Sequence, residues 1–127
     1  MSGERILIVD DHPGNLKLLS FLLDSKGYDV RTASDGPEAW QVLREFEPQL
    51  ILMDLQLPGV DGFELTRQLK AHPRYGQIVI VAVTASAMKG DEQKALAAGC
   101  DGYITKPIDT KTTAATIALY LSQGSST

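Results

Sequence analysis

The chain has little of several features that mark particular protein classes. It carries one cysteine, Cys100, so it cannot form an internal disulfide. Its 12 Lys and Arg are outnumbered by 16 Asp and Glu, and this balance disfavours nucleic-acid binding, which needs clustered positive charge. No apolar run reaches the roughly 18 residues of a membrane span, and no signal peptide is recognisable. We therefore expect a cytoplasmic protein with no membrane partner and no direct nucleic-acid partner.

What is present is enough chain for one well-packed domain. The 127 residues are 43% hydrophobic, which suffices for a proper core but leaves no room for a second domain. The pattern places the core at about residues 5–121, and the polar segment 122–127 reads as a frayed tail. We expect residues 1–127 to form a single domain.

Short apolar runs alternate along the chain with segments of helical periodicity. The runs predict strands near 5–9, 28–33, 50–54, 78–83 and 102–105, and the periodic segments predict helices near 13–27, 36–46, 61–71, 87–98 and 110–121. The second run is more polar, as in an edge strand. Such alternation predicts an α/β fold with a doubly wound, five-stranded parallel sheet and five helices. The flavodoxin-like strand order 2-1-3-4-5 is the natural candidate.

Two of the predicted strands end in acids. The third, Leu50–Asp54, has four apolar residues and then a carboxylate, and the first runs directly into Asp10 and Asp11. Buried carboxylates are rare unless they are paired or hold a metal. Because the predicted order puts strands 1 and 3 side by side, the three acids should share one pocket at the carboxyl end of the sheet.

That pocket predicts a divalent cation. Three neighbouring carboxylates repel one another unless protons or a cation intervene, and oxygen ligands at a half-open site favour Mg2+, with Mn2+ as a substitute. The main-chain carbonyl of Gln56, just past Asp54, could supply a further oxygen. Thr84 and Lys106 end strands 4 and 5 and would add a hydroxyl and an ammonium group. Such a site suits phosphoryl transfer, with the central Asp54 as the nucleophile that forms an acyl phosphate.

At this point the sequence resembles the receiver domain of two-component response regulators. The resemblance covers 5–121 and rests on the ordered occurrence of short motifs at strand ends: Asp10-Asp11, Met53-Asp54, Pro58-Gly59, Asp61-Gly62, Thr84-Ala85 and Lys106-Pro107. Segments 88–92 and 98–100 also resemble stand-alone receivers of the cell-cycle-control kind and receivers of hybrid histidine kinases.

The resemblance implies a role for each residue of the pocket. Asp54 would be the phosphoacceptor, and Asp10, Asp11, Asp54 and the main-chain carbonyl of Gln56 would hold the metal. Lys106 would contact a phosphoryl oxygen. The donor would be a histidine kinase or a histidine phosphotransfer protein, and the receiver itself would catalyse phosphorylation and dephosphorylation at Asp54.

The resemblance also implies a switch. The hydroxyl of Thr84 would be drawn toward the phosphoryl group and the ring of Tyr103 would move inward, while the bond before Pro107 would be cis. The face of helix 4, strand 5 and helix 5 would carry this change to an unknown downstream protein. We expect a monomer at rest, and the sequence leaves a dimer on activation open.

Simpler explanations exist for the same residues. Asp10 or Asp11 could cap the first helix, Thr84 could cap the fourth, and Tyr103 could be a packing residue. At the level of the whole chain, one alternative is a phosphatase or phosphotransferase that works through an aspartyl phosphate. It is disfavoured because Gln56 stands where a second acid is expected. The other is a constitutive binding module that ignores phosphate.

Overall fold

Strands and helices alternate along the chain in the computed structural model, which describes residues 3–55, 62–84, 89–105 and 108–124. The elements are β1 (Arg5–Val9), α1 (Pro13–Ser25), β2 (Asp29–Ala33), α2 (Gly36–Glu45), β3 (Leu50–Asp54), α3 (Gly62–Ala71), β4 (Val79–Thr84), α4 (Lys89–Ala98), β5 (Gly102–Thr105) and α5 (Thr110–Gly124). The alternation predicted from the apolar runs is confirmed.

The five strands form one parallel sheet in the order β2-β1-β3-β4-β5. This order is the predicted one. It makes β3 the central strand, and all five residues of β3 are buried. It also makes β1 and β3 neighbours, with Val9 level with Met53, so both strands end at the same edge of the sheet.

Helices cover both faces of the sheet, and side chains that alternate along each strand feed two cores. Ile51 and Met53 of β3 point into a core shared with α2, α3 and α4, whereas Leu50 and Leu52 point into a core shared with α1 and α5. Because the central strand is apolar on both faces, its terminal Asp54 is held by packing on either side. The cores therefore fix the position of the edge where the acids lie.

Some predicted boundaries need correction. α5 continues to Gly124 rather than stopping at Leu121, because its helical backbone hydrogen bonding runs on past that buried residue. On α1, the apolar Leu18 is 40% exposed and lies outside the core. Among the described residues, no helix is long and apolar enough to cross a bilayer.

Candidate functional site

Three carboxylates meet at the carboxyl ends of β1 and β3. Asp54 is the last residue of β3, and Asp10 directly follows β1. Because Val9 is level with Met53, the next residues, Asp10 and Asp54, lie side by side. Asp10 and Asp54 are each only 2% exposed, whereas Asp11 is open to solvent. One oxygen from each of the three lies within 4.8 Å of the others. The structure thus brings together the acids that the sequence predicted to share a pocket.

Local hydrogen bonds hold Asp10 in place. Its Oδ1 accepts from the backbone N–H of His12 at 2.8 Å, and its Oδ2 accepts from the side-chain amide of Asn15 at 3.4 Å. The backbone N–H of Asp10 donates to Ala33 O at 3.0 Å and ties the residue to β2. His12, not an acid, is the N-terminal cap residue of α1, and its side chain makes no capping hydrogen bond. The capping alternative for Asp10 and Asp11 is therefore wrong.

The backbone around Asp54 is held from two sides. Leu55 N–H donates to Val83 O of β4 at 3.1 Å, and Gly62 N–H donates to Leu55 O at 3.2 Å. Gly62 begins α3 so close to β3 that a Cβ there would lie 2.6 Å from the Cα of Leu55 and also contact the carbonyl oxygen of Asp54. Only glycine permits this approach of α3 to the strand end.

The donor set fits a hard divalent cation. All three side chains offer carboxylate oxygens, the ligands that Mg2+ prefers, and two of the three carboxylates are buried where like charges repel most strongly. Ligands on opposite sides of an ion with bonds near 2.1 Å lie about 4.2 Å apart. The observed separations therefore allow the three acids to share one ion with little movement.

Thr84 and Tyr103 lie on neighbouring strands beside this cluster. Thr84 is the last residue of β4, is 3% exposed, and follows Val83, the residue level with Asp54. In the pairing of β4 with β5, Thr84 is level with Thr105, and Tyr103 is level with Ala82. Tyr103 is half-buried against the core shared with α2, α3 and α4. Tyr103 therefore lies on the strand next to β4, two residues before the position level with Thr84.

Several predicted site residues lie outside the described part of the chain. These are Gln56, Lys106 and Pro107. The main-chain ligand, the phosphoryl-binding cation and the cis peptide bond therefore stay predictions. The residues that precede Lys89 are also outside the description, so the alternative that Thr84 caps α4 is not tested.

Two residues near the site were given no role from the sequence. Asn15 lies in the first turn of α1, and its side-chain amide donates to Asp10. The one sequence signal for this contact is a polar amide five residues after an acid. Gly62 was noticed only as part of a motif, and its close approach to β3 needs the three-dimensional packing to be seen.

Comparisons with known proteins agree with this geometry. A family model described as the response regulator receiver domain matches residues 6–118. The chain is 44% identical over 118 residues to the polar-differentiation response regulator DivK of Brucella anthropi, covering 93% of this chain and 96% of that protein. The DivK protein of Brucella ovis matches with the same identity and coverage.

Solved structures give the same picture. The receiver domain of a sensor histidine kinase from Pseudomonas aeruginosa, which has a magnesium ion coordinated in its active site cleft, superposes with a TM-score of 0.86 at 32% identity. It covers 95% of this chain and 99% of that one. A CheY-like receiver domain protein from Methanospirillum hungatei superposes with a TM-score of 0.87 at 32% identity, covering 97% of each chain.

Proposed function

The chain belongs to the response regulator receiver domain family, and we propose that it is a phosphorylation-controlled switch with Asp54 as its phosphoacceptor. The phosphoryl donor is a histidine kinase or a histidine phosphotransfer protein. The observation that carries this proposal is the convergence of Asp10, Asp11 and Asp54 at the ends of two adjacent buried strands. So costly an arrangement of like charges is expected where charge chemistry is needed.

In the proposed reaction, a carboxylate oxygen of Asp54 attacks the phosphorus of a phosphohistidine. The new O–P bond forms as the N–P bond to the imidazole breaks, and the donor histidine leaves as the neutral ring after taking up a proton. A bound Mg2+, held by Asp10, Asp11, Asp54 and the main-chain carbonyl of Gln56, would neutralise the charge of the phosphoryl oxygens. The packing that buries Asp54 fixes its attacking oxygen, and the hydrogen bonds from His12 and Asn15 keep Asp10 oriented.

Thr84 and Tyr103 are proposed to pass the change on. A phosphoryl group favours one conformation only through contacts that it gains there, and Thr84 and Lys106 are the groups proposed to supply them. Thr84 is well placed because it is buried at the end of the strand next to β3. The half-buried ring of Tyr103 then responds on β5, in the next strand across.

A downstream protein is proposed to bind the face formed by α4, β5 and α5. Two large apolar side chains support this surface because they are solvent-exposed: Leu96 on α4 is 52% exposed and Leu119 on α5 is 55% exposed. We also propose that residues 1–127 act as one receiver domain in the cytoplasm, and that a dimer through this face could form on activation.

The proposal is tested by intact mass after incubation with acetyl phosphate, with and without Mg2+. The native chain should gain one phosphoryl group only when Mg2+ is present, and Asp54→Asn should gain none. Asp24→Asn, which removes an exposed carboxylate of α1 remote from the cluster, is the matched control and should be labelled like the native chain. Labelling of Asp54→Asn to the native extent would refute the assignment of the phosphoacceptor.

A further inference from the structure

The outer side of β2 is open to solvent. Within the described ranges, β2 ends the sheet and pairs with β1 on its inner side. A groove of about 420 Å3 runs along this edge and is bounded by both flanking helices; its lining residues are Ser20, Val30, Arg31, Thr32, Val42, Glu45 and Phe46. An open edge of this kind is a template on which another strand can pair.

The backbone of β2 has a defined outward side. Asp29 N–H donates to Glu4 O at 2.9 Å, and Ala33 O accepts from Asp10 N–H at 3.0 Å, so these residues turn their backbone groups toward β1. Successive residues of a strand alternate in this respect, and Arg31 therefore also faces β1. Val30 and Thr32 direct their N–H and C=O groups to the open edge.

We propose that this edge binds the β2 strand of a second copy of the chain, antiparallel and about a two-fold axis at Val30. Such an interface is self-complementary, because each copy presents the same strand to the other. Val30 would pair with Val30 of the second copy through two backbone hydrogen bonds. Asp29 would then lie directly opposite Arg31 of the second copy, and Arg31 opposite Asp29.

The charges select this register. Asp29 and Arg31 are both exposed, and opposite charges directly across an antiparallel pair are stabilising. Moving the strands one step in either direction, while keeping outward groups paired, puts Asp29 opposite Asp29 or Arg31 opposite Arg31. Both alternatives place like charges in contact. Charged residues on an edge strand often prevent another strand from pairing with it. Here they disfavour the two shifted registers and favour the register centred on Val30.

The flank of α1 is complementary in the same sense. Ser20 of α1 and Val30 line the same groove, so a two-fold axis at Val30 sets the α1 helices of the two copies antiparallel on one side of the joined strands. Lys17 lies three residues before Ser20 and Asp24 four residues after it, and both are exposed. Because the helices run antiparallel, the Lys17 end of one helix faces the Asp24 end of the other. The helices add charge pairs to those of the strands.

The expected complex is weak. A five-residue edge and one helix flank bury less than the roughly 1,200 Å2 of a standard interface, so association should depend on protein concentration. It does not involve the acid cluster, α4 or α5, so it is independent of phosphorylation and of the proposed function. It revises the expectation of a monomer at rest.

Charge reversal tests the pairing by sedimentation equilibrium without any phosphodonor. The native chain should show a concentration-dependent dimer, whereas Asp29→Arg alone and Arg31→Asp alone should be monomeric because each variant sets like charges opposite one another. An equal mixture of these two variants should form a heterodimer, since every charge then faces its opposite. The double variant Asp29→Arg with Arg31→Asp should dimerise like the native chain.

A control swap is available on α3, where Glu64 and Arg67 form an exposed ion pair. Exchanging those two residues should leave the dimer unchanged, and so should Asp54→Asn. Circular dichroism verifies that each variant is folded. A native chain that stays monomeric at every protein concentration measured overturns the proposal. So does a dimer that survives the single reversals, or a mixture of folded single variants that fails to associate.

Discussion

Gly62 packs against the backbone of the residues proposed to carry the chemistry, so adding one methyl group there should impair both folding and phosphorylation. A Cβ at this position would lie 2.6 Å from Leu55 Cα, whereas ordinary contacts begin near 3.4 Å. The backbone must therefore separate by at least about 0.8 Å, the difference between these two distances, because the carbonyl oxygen of Asp54 lies closer still. The sheet holds Asp54 and Leu55, so the separation must come from a shift of α3, from distortion at the end of β3, or from both.

The cost can be bounded from general experience with overpacked sites. Forcing an extra methyl group into packed structure destabilises by about 1–3 kcal/mol. For a chain of this length, about 4 °C of melting temperature is lost per kcal/mol, so Gly62→Ala should melt about 4–12 °C below the native chain. A displacement near 1 Å at a reacting group costs up to about a hundredfold in rate. The initial rate of labelling by acetyl phosphate should fall by a measurable factor toward that limit.

Gly14→Ala is the matched control, because a Cβ there meets nothing within 4 Å and the residue lies within α1. Removing a helical glycine should stabilise by up to about 1 kcal/mol. Thermal unfolding and labelling kinetics are measured on both variants below their melting temperatures. If Gly62→Ala melted and was labelled like the native chain, the account of how α3 fixes Asp54 would be refuted.

Three further predictions follow from other contacts. Asp11→Asn should raise the unfolding midpoint measured in EDTA, because the substitution relieves repulsion among the carboxylates. It should also reduce the stabilisation by Mg2+, which for the native chain is about 1.4 kcal/mol when the Mg2+ concentration is ten times Kd. Equal Mg2+ effects in both chains would contradict the metal site. Burial raises the pKa of the Cys100 thiol, so the native state keeps the thiol proton at a pH where the unfolded state has lost it. The free energy of unfolding should therefore fall as the pH rises above about 9. In urea titrations, Cys100→Ala should remove part of that fall. Lys70 donates to Asp101 Oδ2 and to Ile78 O, both at 2.8 Å, so Lys70→Met should lower the free energy of unfolding by about 1–2 kcal/mol. A double-mutant cycle with Asp101→Asn should show coupling between the two residues. Additive effects of the two substitutions would contradict the pairing.

The strand order and the convergence of the acids were predictable because they depend on strong, local patterns. The run Leu50–Asp54 is apolar on both faces, which only a central strand tolerates, and it ends in an acid. A parallel sheet then forces Asp10 and Asp54 to the same edge. No knowledge of side-chain packing is needed for this step.

Features that depend on packing between distant segments were not predictable. The glycine at position 62 is required by the approach of α3 to β3, a contact between segments that are not adjacent in the sequence pattern. The reach of Asn15 back to Asp10 depends on how α1 starts. Helix ends have a similar weakness, since α5 continues to Gly124, three residues past the buried Leu121.

The most direct test of the central claim is to follow Thr84 and Tyr103 by NMR as beryllofluoride and Mg2+ are added. This phosphoryl mimic does not hydrolyse, so a short-lived phosphorylated state cannot hide the response. We predict that the signals of Thr84 and Tyr103 shift in the native chain and stay unchanged in Asp54→Asn. Unshifted signals in the native chain, at saturating mimic and Mg2+, would contradict the proposal that the acid cluster controls a switch.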